Sequence, residues 1–133
     1  MTKIVRAPRR VLGRLKEVSV TWETFDFMTY CVVGPHEDLD KYVRWRHHRK
    51  YNIPAKRDTD GLHFNSIPSK GSIIWLPRMP RKAKDIGTLA HEISHAVLDM
   101  VATRNIAVST KYQEPFCYAI SHGVETILME LRK

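Results

Sequence analysis

The sequence predicts an α+β fold in which a short antiparallel or mixed sheet packs on two C-terminal helices. Three observations carry that prediction. Apolar residues alternate or form short blocks over 18–33, 62–65 and 72–76, as half-buried or fully buried strands require. Over 83–102 and 114–131 they recur every three to four residues, the period of an amphipathic helix. The chain of 133 residues is 43% hydrophobic and 27% charged, a globular balance at an ordinary size for one domain.

Taken in order, Lys3 to Arg6 reads as a short strand, followed by a basic helical turn or two in which Val11, Leu12 and Leu15 share a face. Val18, Val20 and Trp22, then Phe25 and Phe27, suggest two strands of a β-hairpin, and the run Tyr30 to Val33 stops at Gly34-Pro35. From His36 to Tyr51, Leu39, Tyr42, Val43 and Arg46 fall at helical spacing. Glu37, Asp38 and Asp40 open that helix and Arg49 and Lys50 close it, which suits the helix dipole. Asn52 to Gly61 is a polar loop. Leu62 to Asn65 and Ser72 to Leu76 can pair across the turn Pro68-Ser69-Lys70-Gly71, and Pro77 and Pro80 bracket a connector. A long helix is predicted from Ala83 or Asp85 to Ala102, with Ile86, Leu89, Ala90, Ile93, Val97, Met100 and Val101 on its apolar side. The last helix, Glu114 to Leu131, turns Phe116, Ile120, Val124, Ile127, Leu128 and Leu131 inward. Pro115 is tolerated there because a first-turn N–H has no helical partner to lose.

Lys and Arg number 22 against 14 Asp and Glu, a net +8 that permits a polyanionic partner without naming one. The excess lies upstream: residues 1–90 hold 18 basic and 9 acidic groups, residues 91–133 hold 4 and 5. The longest apolar stretches, such as Ile73 to Leu76, fall far short of the roughly 20 residues that cross a bilayer, so no membrane helix is expected. Met1 to Pro8 meets charges at once and lacks the apolar core of a secretory signal, so the expected location is the cytoplasm. Cys31 and Cys117 are too few for a disulfide scaffold and too far apart for a Cys-x-x-Cys clamp. Both are expected as buried, reduced thiols.

The strong chemical signal is His91-Glu92-Ile93-Ser94-His95. Residues four apart on a helix stand about 6 Å apart along one face, so both imidazoles can share a metal. Glu92 follows His91 by about 100° of helix rotation, which directs its carboxylate to a water at the metal as a general base. With 7 His and 7 Glu in the chain, chance supplies only about 0.02 such strings. A zinc hydrolase needs a third protein ligand and an open fourth position. Leu98 and Val101 occupy the Gly and third-His positions of the extended metzincin pattern, which excludes that class. Glu114 stands 19 residues after His95, room for one helix to end, a loop through Arg104 to Gln113 to turn back, and a second helix to bring its carboxylate opposite the histidines. The bland alternative is a first-turn carboxylate favoured by the helix dipole. His122 competes as a ligand or supports the centre from behind. Asp99, four residues past His95, is either a hydrogen-bond acceptor for a ligand imidazole or a solvated helix residue. Tyr112, Tyr118 and His63 are candidate donors to a tetrahedral oxyanion, although Tyr118, an aromatic on a helix, reads better as core. Cys117 reads as a small packed residue rather than a fourth ligand, since four protein ligands make a structural zinc site.

At these residues the chain resembles a minimal zincin with gluzincin-style ligands, and more closely the small metallopeptidase-like proteins encoded by tailed bacteriophages. The resemblance rests on Leu89-Ala90-His91-Glu92-Ile93-Ser94-His95-Ala96, Val97-Leu98-Asp99, and Gln113-Glu114-Pro115-Phe116-Cys117-Tyr118-Ala119-Ile120, and it covers roughly the last 50 residues. It implies a small zincin-like fold with zinc on His91, His95 and Glu114, Glu92 as the base that activates water, and a peptide or protein substrate. A phage-encoded protein would work in the host cytoplasm. Zincins commonly hold an extended peptide on a strand edge near the active-site helix, and Ser72, Ile73, Ile74 and Trp75 are the candidate strand.

Two rival readings stand beside the hydrolase. Arg44, Arg46, His47, Arg49 and Lys50, with His48 and interleaved Trp45 and Tyr51, form a basic segment that could contact phosphates and stack on bases, or else a solvated helix face. The other rival is a phage structural or host-interaction protein whose zinc site is not used for turnover. Glu92 weighs against it, because a purely structural site needs no base between its ligands.

Overall fold

The computed structural model describes residues 3–48, 53, 60–65, 71–111 and 113–133. Its elements in chain order are α1 (Arg9–Leu12), β1 (Lys16–Trp22), β2 (Phe27–Val33), α2 (Leu39–His47), β3 (Leu62–Asn65), β4 (Gly71–Leu76), α3 (Ala83–Thr103) and α4 (Glu114–Leu131). Short 3-10 turns at Glu23–Phe25 and His36–Asp38 link β1 to β2 and lead into α2.

The α+β class is as predicted, and the sheet is mixed, with strand order β1-β2-β4-β3. β1 and β2 form the expected antiparallel hairpin, from Lys16 opposite Val33 to Trp22 opposite Phe27. β3 and β4 also pair antiparallel, Leu62 with Trp75 through Asn65 with Ser72, while the expected turn at Pro68 to Lys70 lies outside the described residues. The pairing that joins the two halves is parallel, Met28 with Gly71 through Val33 with Leu76. A parallel pair needs a crossover, and the chain from β2 to β4 supplies it through α2.

Period-2 geometry sends alternate residues of the two central strands to opposite faces. Cys31, Val33, Ile74 and Leu76 join Val20 and Trp22 in a core with Leu89, Ile93, Val97 and Met100 of α3 and Ala119, Ile127 and Leu131 of α4. Val32, Ile73 and Trp75 face the other way, onto Val11, Leu12, Leu15, Leu39, Tyr42 and Val43. The sheet is therefore the middle of three layers, which explains why 31–33 and 73–76 are continuous apolar runs rather than alternating ones.

Four expectations are corrected. Lys3 to Arg6 forms no strand of the sheet. α2 is shorter than the stretch to Tyr51, ending at His47 with His48 in a left-handed conformation; Arg49, Lys50 and Tyr51 lie outside the described residues. Cys31 is buried, and burial pushes its thiol well up, but Cys117 is exposed; both are free. The candidate substrate strand is also misplaced. Ser72, Ile73, Ile74 and Trp75 are paired to β2 on one side and β3 on the other and are at most 1% exposed, so their backbone offers no edge to a peptide. The Ser72 hydroxyl is taken up with Thr29, 2.9 Å away and buried. Among the described residues, no helix is long and apolar enough to cross a membrane.

Candidate metal centre

α3 lies across β4 and β3 with its apolar stripe on the sheet, and that seating decides where each residue of the His-Glu-x-x-His string points. Leu89, Ile93, Ala96 and Val97 are fully buried. His91 and His95 therefore emerge on the exposed flank, one turn apart, with ring centroids 4.7 Å apart and planes at 81°. Their Nε2 atoms are 3.2 Å apart. Two ligands about 2.0–2.1 Å from one zinc at a near-tetrahedral angle are separated by nearly that distance, so the pair fits a shared ion. Imidazole is also a donor that suits zinc.

Glu92 is 6% exposed. Burial raises its carboxyl above the usual range, and the two neighbouring histidines pull it partly back. Gly61, just before β3, makes room for it: a Cβ there would stand 2.9 Å from Thr88 Cγ2 and 3.3 Å from Glu92 Cγ. A cleft of about 500 Å³ opens beside His91 and Glu92, floored by Gly61, Gly87 and Thr88, with Asp60 and Lys84 across it 3.8 Å apart.

β3 places His63 against this centre. Leu62 and Phe64 pack on the α2 side of the sheet, so the alternation turns His63 toward α3. Its ring lies nearly parallel to that of His95, with centroids 5.8 Å apart and planes at 18°. Burial, with His95 beside it, pushes the His63 imidazole down to about 4. Its Nε2 is buried without a hydrogen-bond partner.

The remaining candidates are not gathered here. Among the described residues, no three His, Cys, Asp or Glu side chains converge as a ready ligand set. Glu114 occupies the exposed first turn of α4. α4 meets α3 at Gly123, where a Cβ would come within 2.8 Å of Ile93 Cγ2, and Ile93 stands about 200° around the helix from His91. The histidines and α4 thus occupy different flanks of α3. Tyr118 is 72% exposed, in a groove of α4 with Trp22 and Phe25. His122 contacts β1 instead, its Nε2 3.0 Å from the Thr21 carbonyl and its ring edge-on to Trp22. Asp99 is half-buried, which raises its carboxyl, and among the described residues no hydrogen bond joins it to His95. Tyr112 lies outside the described residues. Sequence reasoning missed Gly61, whose role follows only from the approach of β3 to α3.

Two members of the basic segment, Arg46 and His47, are committed to the fold. Arg46 and Glu17 form a buried ion pair at 2.5 Å, with side chains 9% and 6% exposed. The Arg46 guanidinium also covers the Tyr30 ring at 3.5 Å and packs near Trp45. His47 is buried and Arg44 pairs with Asp40 at 2.6 Å. Arg46 and His47 are therefore not exposed to a phosphate backbone, which corrects their candidacy as nucleic-acid contacts; Arg49 and Lys50 lie outside the described residues.

Comparison with protein families, with curated proteins and with solved structures finds no match to this chain.

Proposed function

We propose that the protein is a zinc-dependent peptide-bond hydrolase built on His91, Glu92 and His95. The observation that carries the reading is the pair of exposed imidazoles with Nε2 atoms 3.2 Å apart, flanking a buried carboxylate at the mouth of a cleft. His91 and His95 would hold a zinc ion there, which would supply Lewis acidity toward a carbonyl and a water nucleophilic near neutral pH. Glu92 is the general base: burial raises its affinity for a proton, so it can take one from the attacking water and return it to the departing amine. The cleft beside Gly61 and Thr88 has space for substrate next to the carboxylate.

Two side chains compete for the third protein position: Glu114, by chain order and resemblance, and His63, by proximity. Either leaves the fourth position open, as a catalytic zinc site requires.

The test is elemental analysis of metal in the purified chain together with turnover of a peptide library. Wild-type protein should hold one zinc and cleave. Glu92→Gln should hold one zinc and lose cleavage by on the order of 10²–10⁴-fold, the usual contribution of a general base. His91→Ala and His95→Ala should lose both. Full cleavage by a zinc-loaded Glu92→Gln protein would sink the mechanism.

A further inference from the structure

We propose that His63 is the third protein ligand of the zinc centre, making it a three-histidine site of His63, His91 and His95. The assignment rests on the metallohydrolase reading and replaces Glu114 within it.

The starting point is an orphan. A buried imidazole nitrogen without a hydrogen-bond partner is rare in folded proteins, and an ion is one of the few things that accounts for it. His63 Nε2 is such an atom, on a ring already against His95. Two imidazoles on one zinc, each bound at about 2.0–2.1 Å, have centroids roughly 5–6 Å apart. The pair His63–His95, at 5.8 Å, falls within that span, and His91–His95, at 4.7 Å, lies just short of it. What separates the present arrangement from a ligand set is ring orientation: His63 stacks on His95 instead of converging with it. The assignment requires a rotation about the His63 side-chain bonds, with the strand kept in register, His63 opposite Ile74.

Glu114 needs a larger rearrangement. It projects from the exposed first turn of a helix that meets α3 at Ile93, on a different flank from the histidines. His63 needs a rotamer. Three imidazoles also suit the chemistry proposed for Glu92, because they complete the protein ligands without engaging its carboxylate and leave one position for water.

The experiment uses the full-length wild type, His63→Gln and Glu114→Gln. Zinc affinity is measured by competition with a chromophoric chelator, and the cobalt(II)-substituted wild type is examined by proton NMR in water, where each metal-bound imidazole contributes one exchangeable, strongly shifted N–H signal. Three such signals are expected. His63→Gln should weaken zinc binding by more than about 100-fold, beyond the 10–100-fold typical of residues that only support a ligand, while Glu114→Gln stays within about threefold of wild type. Two shifted signals in the wild type, or a Glu114→Gln chain that loses zinc while His63→Gln keeps it, would overturn the assignment and return the third position to Glu114. The wild-type NMR count decides the matter even if His63→Gln fails to fold. A wild type that takes up no zinc or cobalt overturns the metallohydrolase reading as a whole, a result distinct from either of these.

Discussion

Glu92 and His63 are each placed where burial works against their charged form, and each therefore links function to stability. For Glu92 the folded-state value is raised. The penalty is full above that value, where the carboxylate is charged, and disappears as pH falls below the unfolded value. In metal-free protein, Glu92→Gln should resist urea better than wild type at pH 7, with the two curves converging in acid. Equal midpoints at pH 7 would show that burial costs this carboxylate nothing. His63 has the opposite pH sense. Its folded value of about 4 lies below the ordinary 6.5, so the stability linked to its neutral form is complete above about 6.5 and is lost as pH falls through about 4. A gap of that size is worth roughly 3 kcal/mol at most. Metal-free wild type should therefore lose more stability between pH 7 and pH 4.5 than His63→Phe, which keeps a ring against His95 but has nothing to protonate. Parallel losses in urea melts of the two proteins would exclude His63 as the source.

At the scale of elements, α2 shows how a functional signal in sequence can belong to the fold. Arg44 to Lys50 looks like a phosphate-binding stripe because the bases are consecutive, yet consecutive residues on a helix point in different directions. Arg46 points inward, where Glu17 of β1 receives it along with the Tyr42 hydroxyl and the Ala7 N–H. One carboxylate thus ties α2, β1 and the segment before α1 together. Arg46→Ala should destabilise the protein by about 3 kcal/mol, at the low end for breaking a buried pair because two donors still hold Glu17. Any effect on nucleic-acid affinity measured under folded conditions should be small. A stability change under 1 kcal/mol by chemical denaturation would mean the pair is not structurally important. α3 and α4 were legible to within a residue or two, since their apolar period continues for five or six turns. His91, Glu92 and His95 were legible because the motif is contained in one helix. The edge orientation of β4 was not, since which strand ends a sheet depends on partners far away in sequence. The route of Glu114 was not either: the length of a connection permits a return but does not choose the flank.

For the molecule as a whole, the proposed metal-site residues and much of the scaffold beneath them come from different parts of the chain. His63, His91, Glu92, His95 and Glu114 all fall after residue 60. β4, on which α3 rests, is nevertheless bound along one entire edge to β2, and its far face is covered by residues from before residue 48. A fragment covering 60–133 would uncover Ile73 and Trp75, and leave the core beneath α3 and α4 without Trp22, Cys31 and Val33. Exposing Ile73 and Trp75 forfeits about 1.5–3 kcal/mol of burial each, and the missing Trp22, Cys31 and Val33 strip further contacts from the core, a large share of the 5–15 kcal/mol that keeps an ordinary domain folded. The fragment is accordingly expected to lack a cooperative thermal transition by circular dichroism and to bind zinc more weakly than the full chain, because its ligands are no longer held by packed elements. The full chain should melt in one step, at a temperature that rises with zinc concentration, since a ligand specific to the folded state stabilises it by mass action. A fragment that melts cooperatively and binds zinc like the full chain would show that β3, β4, α3 and α4 form a self-sufficient unit, with the N-terminal layer an addition rather than a foundation.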